Sequence, residues 1–345
     1  MVYQSPQVKT PVDPSEVCPE HANFIDSDGW KISSGNLTVR TLWQKTEDRP
    51  ILTQFNGSGN SGIAALSDQV VIHEMLPVCF GEEVVSLDLR TGVTKWSFPI
   101  SKDYSRSYER LQALPDGVLI VLDGILIKID PEGQYVWSNE GFPSRALNTV
   151  YVDQDLYFPS KDKVYVVSNE TGERVRQIDV ASPISVLHGN ILIATDDTHL
   201  QIQSLSNHKS FVIAVSDPAS IQSAWIAPFT DVSGDILLAY DQIGRERSIA
   251  AYSLVDGHAI WQSFDYFEGI PVISNSHLFV YGKLGIKILD IATGTQIGSI
   301  NLTGNDKPRQ NLKPHEVWMT AHDNTLVVNV RDTWDIIALE IQPGN

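Results

Sequence analysis

The sequence predicts an all-β protein that folds as a closed β-propeller of four-stranded blades, and three observations support this fold class. One hairpin-turn pattern recurs along the 345 residues, the segments around each turn alternate apolar and polar residues, and several turn glycines are spaced about forty residues apart. Alternation with a period of two is typical of strands. A repeat of about forty residues is typical of propeller blades.

The turn pattern is Asp-x-x-Thr-Gly, followed four residues later by Trp. Asp or Ser at the first position can accept hydrogen bonds from backbone N–H groups two or three residues further on, and Gly supplies the positive φ that the last position needs. We therefore interpret these glycines and tryptophans as structural residues, with the tryptophans packed between blades. They are Gly92, Trp96, Gly133, Trp137, Gly172, Gly257, Trp261 and Gly294, together with Trp43 from a separate N-terminal segment.

Counting the repeats gives six units and an incomplete seventh. The six units end near Trp96, Trp137, Arg176, Val212, Trp261 and Gly298, and the final unit spans about residues 317–341 with only three strands. We predict that residues 37–45, with Trp43 at the hairpin-tryptophan position, supply the missing outer strand and remove an open sheet edge. The prediction is seven blades, with eight as the alternative if the N-terminal segment contains a degenerate copy. Residues 37–345 would form one propeller domain, and residues 1–36 a tail packed on it.

The strand-turn-tryptophan unit resembles the PQQ-type repeat over roughly residues 37–341. This family includes quinoprotein dehydrogenases and outer-membrane assembly lipoproteins, which share the propeller without the cofactor. The resemblance implies that an enzyme of the family would have eight blades, a disulfide between adjacent cysteines, a Trp platform under the quinone and a Ca²⁺ site of Glu, Asn and Asp. Cys18 and Cys79 are 61 positions apart and no segment matches the calcium-binding set. The resemblance therefore favours a propeller that lacks the cofactor site, and an extracytoplasmic rather than a cytoplasmic location.

The two cysteines allow two interpretations. Cys18 and Cys79 are either free, buried thiols or a disulfide that ties the N-terminal tail to the first blade. If a disulfide exists, its pairing is fixed because no third cysteine is present.

Composition and motifs argue against several functions. The 25 basic and 42 acidic residues give a net charge of −17, which repels nucleic acid and anionic membranes. No apolar stretch reaches the 18 or so residues that a membrane span needs. The G-x-G-x-x-G letters of residues 57–62 precede a strand pattern rather than the helix that a dinucleotide site requires. We expect no catalytic residue, no metal and no cofactor, and a protein partner rather than nucleic acid; the oligomeric state stays open.

The loops that enter the blades from the previous outer strand hold a mixture of aromatic and basic residues, a composition typical of recognition surfaces. The candidate partner-binding residues are Tyr104, Arg106, Tyr108, Arg110, Arg145, Phe267, Lys307 and Arg309. An alternative is that these charges pair with neighbouring carboxylates such as Asp103, Glu109 and Asp306. The favoured function is a non-catalytic interaction scaffold in an extracytoplasmic or membrane-associated complex. The alternative is a PQQ-dependent or sugar-handling enzyme that uses the central channel.

Overall fold

The structure is a computed structural model in which the described residues form strands and connecting turns. The described residues are 23–24, 32–33, 37–46, 62–76, 81–100, 108–122, 124–142, 150–152, 154–160, 163–179, 184–188, 191–195, 199–204, 210–214, 229–233, 236–243, 246–253, 255–265, 267–282, 285–300, 317–330 and 335–343.

Three strands precede the blades: β1 (Asn23–Phe24), β2 (Ile32–Ser33) and β3 (Leu37–Thr46). Six blades follow, each made of four consecutive antiparallel strands. The strands of blade 1 are β4 (Ile63–Ala65), β5 (Gln69–Leu76), β6 (Gly81–Asp88) and β7 (Thr94–Ile100). Those of blade 2 are β8 (Tyr108–Leu114), β9 (Gly117–Leu122), β10 (Ile125–Ile129) and β11 (Tyr135–Glu140). Those of blade 3 are β12 (Val150–Val152), β13 (Asp155–Ser160), β14 (Lys163–Ser168) and β15 (Arg174–Asp179).

Blades 4 to 6 repeat the same order. The strands of blade 4 are β16 (Ile184–His188), β17 (Ile191–Thr195), β18 (His199–Ser204) and β19 (Ser210–Ala214). Those of blade 5 are β20 (Phe229–Ser233), β21 (Ile236–Ile243), β22 (Glu246–Ser253) and β23 (Ala259–Asp265). Those of blade 6 are β24 (Phe267–Ser274), β25 (His277–Gly282), β26 (Gly285–Asp290) and β27 (Gln296–Ile300).

A further sheet, here called the terminal sheet, joins the two ends of the chain. It contains β28 (Val317–His322), β29 (Thr325–Val330) and β30 (Asp335–Pro343), and its fourth strand is β3. The pairing of β3 with β30 runs from Leu37 opposite Pro343 to Thr46 opposite Asp335. The N-terminal strand that the sequence predicted therefore lies beside the last C-terminal strand.

The blade count corrects the prediction from the sequence. Six blades of four consecutive strands are present among the described residues, whereas the prediction was seven with eight as the alternative. The difference is the terminal sheet, because no four consecutive strands form it. The all-β propeller of four-stranded blades is otherwise as predicted.

The hydrophobic core lies between the sheets rather than within any one of them. β9 is buried at all six positions because blades cover both of its faces. One apolar cluster joins blades 1 and 2 through Val71, Leu111 and Ile120, and another joins blade 1 to the terminal sheet through Ile72 and Val327. In these clusters, neighbouring sheets stabilise one another.

Deleting residues 1–46 is expected to abolish soluble folding. The deletion removes β3, leaves β30 as a long unpaired edge that invites aggregation, and removes the buried side chain of Trp43. Loss of one buried Trp alone costs about 3–5 kcal/mol, a large part of the 5–15 kcal/mol typical of a whole domain. Soluble yield and thermal unfolding measure the effect.

A synthetic peptide spanning Leu37–Thr46 provides the control for this deletion. Adding it during refolding of the truncated chain should restore soluble protein, because it supplies the missing strand. A truncated protein that melts at the temperature of the full chain would show that β3 contributes nothing to the fold.

Candidate interaction surfaces

The predicted partner-binding residues are only partly placed by the structure. Tyr108 and Arg110 lie in β8, and Phe267 is the first residue of β24, so these three lie on the first strands of blades 2 and 6. Side chains at these positions are outside the described part of the molecule. The residues that lie wholly outside the described ranges are Tyr104, Arg106, Arg145, Lys307 and Arg309, as well as Cys18 and Cys79. Their grouping into one surface stays a prediction.

The outer hairpin turns are organised by their first residue. The Oδ1 atom of Asp88 accepts hydrogen bonds from the Arg90 N–H at 3.0 Å, from the Thr91 N–H at 2.8 Å and from the Thr91 hydroxyl at 2.8 Å. Partial burial raises the pKa of the Asp88 carboxyl, but the hydrogen bonds from Thr91 and Arg90 lower it, and the net pKa lies below its ordinary value. Gly92 closes the turn at φ +70°.

Each of four tryptophans packs on a turn glycine of the next sheet. A Cβ atom added at Gly172 would lie 2.5 Å from Cδ2 of Trp137, far inside van der Waals contact. The same relation holds for four pairs: Trp43 with Gly92, Trp96 with Gly133, Trp137 with Gly172, and Trp261 with Gly294. Glycine is needed here for two reasons, since the φ is positive and the indole ring occupies the space of a side chain.

The indole N–H of each tryptophan also reaches the same turn. Each Nε1 donates to the carbonyl oxygen of the second turn residue: Trp43 to Leu89 at 2.9 Å, Trp96 to Pro131 at 2.8 Å, Trp137 to Asn169 at 2.9 Å and Trp261 to Ile291 at 2.7 Å. We call this combined contact the Trp–Gly clasp. It satisfies a buried donor and a turn carbonyl while it joins two sheets.

The Trp–Gly clasp is interrupted around blade 4. Blade 3 has Arg176 where blades 1 and 2 have Trp, and the turn of blade 4 lacks the glycine. Blade 4 has Val212 at the Trp position, and this side chain is 59% exposed. In blade 6 the position is Gly298, where Cδ1 of Leu37 from β3 approaches within 3.3 Å of an added Cβ. Glycine at position 298 is consistent with the terminal sheet, because the outer strand of that sheet, β3, brings Leu37 next to this position.

Arg176 contacts a tyrosine of its own blade. Its guanidinium donates to the hydroxyl of Tyr157 at 2.8 Å, and its Cζ atom lies 6.0 Å from the centre of the Tyr157 ring. Tyr157 itself is 7% exposed, whereas Arg176 is exposed. The arginine therefore extends over a buried aromatic ring and keeps its charge in solvent.

Arg174 lies two residues earlier on the same strand and also covers a tyrosine. Its Cζ atom lies 4.2 Å from the centre of the Tyr165 ring, a cation–π distance, and its guanidinium donates to Oε1 of Gln177. Within the described part of the chain, no carboxylate lies within 4.0 Å of either Arg174 or Arg176. Two oriented guanidiniums without a carboxylate partner therefore lie at the outer edge of blade 3.

The candidate site predicted from the sequence does not contain these two arginines. The available signal was Arg176 itself, four residues after Gly172 and therefore at a position where the repeat elsewhere has Trp. A cation at a position normally used for packing indicates that the position faces something other than a neighbouring turn.

Comparison with known proteins agrees with this architecture. A sequence model of the family described as outer membrane protein assembly factor BamB matches residues 20–178. No curated protein matches the chain. Among solved structures, BamB from Moraxella catarrhalis superposes with a TM-score of 0.50 at 15% identity, over 88% of this chain and 100% of that chain.

Two other solved structures are similar in fold with little similarity in sequence. The WD40 domain of coronin from Toxoplasma gondii superposes with a TM-score of 0.64 at 14% identity, over 92% of this chain and 90% of that one. A chain of the mitotic checkpoint complex superposes with a TM-score of 0.62 at 9% identity, over 98% of this chain and 99% of that chain. At such identities the likeness shows the fold alone.

The fold and its joined blades thus define a β-propeller. The turn-and-tryptophan repeat resembles the PQQ-type repeat, and the family model matches residues 20–178, slightly less than half of the chain.

No described helix has the length and hydropathy needed to cross a membrane. No group of three or more His, Cys, Asp or Glu side chains is arranged to hold a metal ion in the same residues.

Proposed function

We propose that this chain is a non-catalytic propeller that acts as an interaction scaffold, or as a subunit, in an extracytoplasmic or membrane-associated complex. The observation that carries the proposal is the match of residues 20–178 to a family described as an outer membrane protein assembly factor. The likeness to a chain of the mitotic checkpoint complex supports a protein partner for this fold, although it has no bearing on location.

The proposal includes the shape of the scaffold. The terminal sheet would act as a seventh blade and close the ring, because β28 contacts both β24 of blade 6 and β4 of blade 1. The backbone N–H of Ala65 in β4 donates to Oγ1 of Thr320 in β28 at 3.1 Å. The Trp–Gly clasp between Trp43 and Gly92 joins the same two sheets at their outer side. A closed ring is a rigid support for loops that bind a partner.

One partner surface would be the face formed by the loops with Arg106 and Arg309, together with Arg110 in β8. The supporting observation is the placement of Tyr108 and Arg110 in the first strand of blade 2, and of Phe267 at the start of the first strand of blade 6. The first strands β24, β28, β4 and β8 contact one another in turn, so they would line the inside of the ring and the loops that lead into them would surround its mouth. Cationic and aromatic residues there would favour an acidic protein segment.

Two observations on the described residues favour the scaffold over the quinone-enzyme alternative. The Trp side chains of the repeat, which a quinone platform would need on the channel side, are used in Trp–Gly clasps at the outer turns. Carboxylates sufficient for a Ca²⁺ site are not grouped anywhere in the described residues.

The experiment that tests the proposal compares partner capture with quinone chemistry. The full chain and a triple variant, Arg106→Glu, Arg110→Glu and Arg309→Glu, are purified from the native host and their bound proteins are identified by mass spectrometry. We expect a stoichiometric partner with the unaltered chain and its loss with the triple variant, whose circular dichroism should be unchanged.

The same chain is titrated with PQQ and Ca²⁺ and followed by visible absorbance and dye-linked dehydrogenase activity. Tight stoichiometric quinone binding with turnover would overturn the scaffold proposal.

A further inference from the structure

We propose that the outer edge of blade 3 is a docking site for an extended acidic peptide segment, which would add to β15 as a fifth strand. This inference deepens the proposed scaffold function and rests on it, because it names the chemistry of one partner. It uses a surface different from the loop face described above.

The propeller already shows that its outer edges accept extra strands. β1 pairs antiparallel with β3, the outer strand of the terminal sheet, through Asn23 opposite Thr46 and Phe24 opposite Lys45. β2 pairs in the same way with β27, the outer strand of blade 6, through Ile32 opposite Ile300. In both cases a short extended segment adds to the outer edge of a sheet, and in the case of β2 that segment is far from its partner strand in sequence. Strand addition of this kind supplies main-chain hydrogen bonds to any extended peptide.

The edge of blade 3 is open to the same pairing. β15 is the last strand of its sheet, and none of the described strands pairs with its outer side. Residues 173–177 are exposed, with the side chain of Val175 at 56%. An open edge with an exposed apolar residue is a template for another strand unless proline blocks it. Charged side chains on such an edge disfavour a strand of like charge and favour one of opposite charge. The corresponding strand of blade 1 contains such a block at Pro99, and β15 contains no proline.

Cationic side chains lie on both faces of this edge. Residues paired across neighbouring strands share a face, so Arg176 lies on the face of Tyr157, and Gln177 lies on the face of Tyr165. Phe142 of blade 2 contacts the Tyr165 ring at a centroid distance of 6.3 Å, so that face is directed toward blade 2. Arg174, stacked on Tyr165, lies on the blade 2 side, and Arg176 lies on the opposite side. A peptide paired with β15 alternates its side chains between the two faces and would meet a guanidinium on each.

The chemistry of these guanidiniums selects an acidic segment. Each is held in place by a tyrosine, and neither has a described carboxylate within 4.0 Å. Pre-oriented arginines lose less conformational freedom when they pair, and they match carboxylates in a bidentate geometry. Glu173 and Asp179 mark the two ends of the strand, so the favourable positions for a partner carboxylate lie between them. Cross-strand pairs of opposite charge stabilise a sheet, and like charges opposite one another destabilise it.

A defined peptide tests the proposal directly. The probe is a fluorescein-labelled peptide of alternating Glu and Val, with the six residues of β15 as its length, and fluorescence anisotropy at low salt measures its binding to the full chain. We expect binding that weakens as salt is raised. The double variant Arg174→Glu, Arg176→Glu should weaken it by about tenfold or more, since each pair changes from attraction to repulsion.

Three controls separate strand addition from simple charge attraction. Lys95→Glu reverses an exposed cation on the outer strand of blade 1 and should change binding less than about twofold. A peptide of alternating Lys and Val should not bind. The Glu–Val peptide with alternate amides N-methylated keeps its charge but cannot form the strand ladder, and should lose most of its affinity.

Amide hydrogen exchange identifies the edge that is used. On peptide binding, the amides of Arg174–Asp179 should exchange more slowly, whereas those of Tyr135–Glu140 in blade 2 should not change. Equal protection of both strands, equal weakening by Lys95→Glu, or unchanged affinity of the N-methylated peptide would each overturn the proposal. If a native partner is captured and the double variant retains it while the peptide fails to bind, the edge site is wrong and the scaffold proposal stands.

Discussion

Replacing Gly172 with Ala is expected to lower the free energy of unfolding by about 2–5 kcal/mol. The residue has φ +72°, which costs an L-residue about 1–2 kcal/mol. Its new Cβ would also lie 2.5 Å from Cδ2 and Cε3 of Trp137, and forcing atoms into a packed site costs about 1–3 kcal/mol more. Urea unfolding followed by tryptophan fluorescence measures the change.

Gly141 provides a matched control for this substitution. It has φ +88°, and an added Cβ would meet nothing within 4 Å. Gly141→Ala should therefore show the backbone cost alone, about 1–2 kcal/mol. Equal losses at the two positions would mean that the Trp137 ring does not occupy the space above Gly172.

Replacing Trp137 with Ala is expected to cost about 3–5 kcal/mol. The side chain is 5% exposed, it packs on Gly172, and its Nε1 donates to the Asn169 carbonyl, which would lose this donor. Arg176→Ala at the corresponding position of blade 3 is the control, and should cost less than about 1 kcal/mol because the side chain is exposed.

The pair can also be tested together. In a chain that carries both Trp137→Ala and Gly172→Ala, the clash is gone, so the combined loss should be smaller than the sum of the two single losses. A strictly additive result would contradict the clasp contact between these two residues. Circular dichroism of each variant establishes that the blades still form.

Much of the fold follows from local chemistry that a sequence displays directly. The Asp88 turn was predictable because its carboxylate and Gly92 act within five residues, and the structure shows the hydrogen bonds that this chemistry requires. The pairing of β3 with β30 was predictable for a different reason, since one strand lacked a sheet and one sheet lacked a strand.

The surfaces were much harder to predict than the turns. That Arg176 meets Tyr157 depends on strand register and on a bulge between Val166 and Val167, neither of which the residue types reveal. The number of blades was also hard to predict from the sequence, because only three consecutive strands of the terminal sheet match the repeat. Long-range pairing and the choice of face are set by packing of the whole molecule, and local patterns carry little information about either.

The terminal sheet also orders events during synthesis of the chain. Arg40 in β3 and Glu340 in β30, which form an ion pair at 2.7 Å, are 300 residues apart in sequence. At typical translation speeds of about 5–20 residues per second, β3 has to wait about 15–60 s for its partner strand to leave the ribosome. During that interval the N-terminal strand, with its apolar face, needs protection from pairing with other chains. Pairing of β3 therefore has to follow the emergence of β30, and a product terminated before Asp335 would keep β3 without its partner strand.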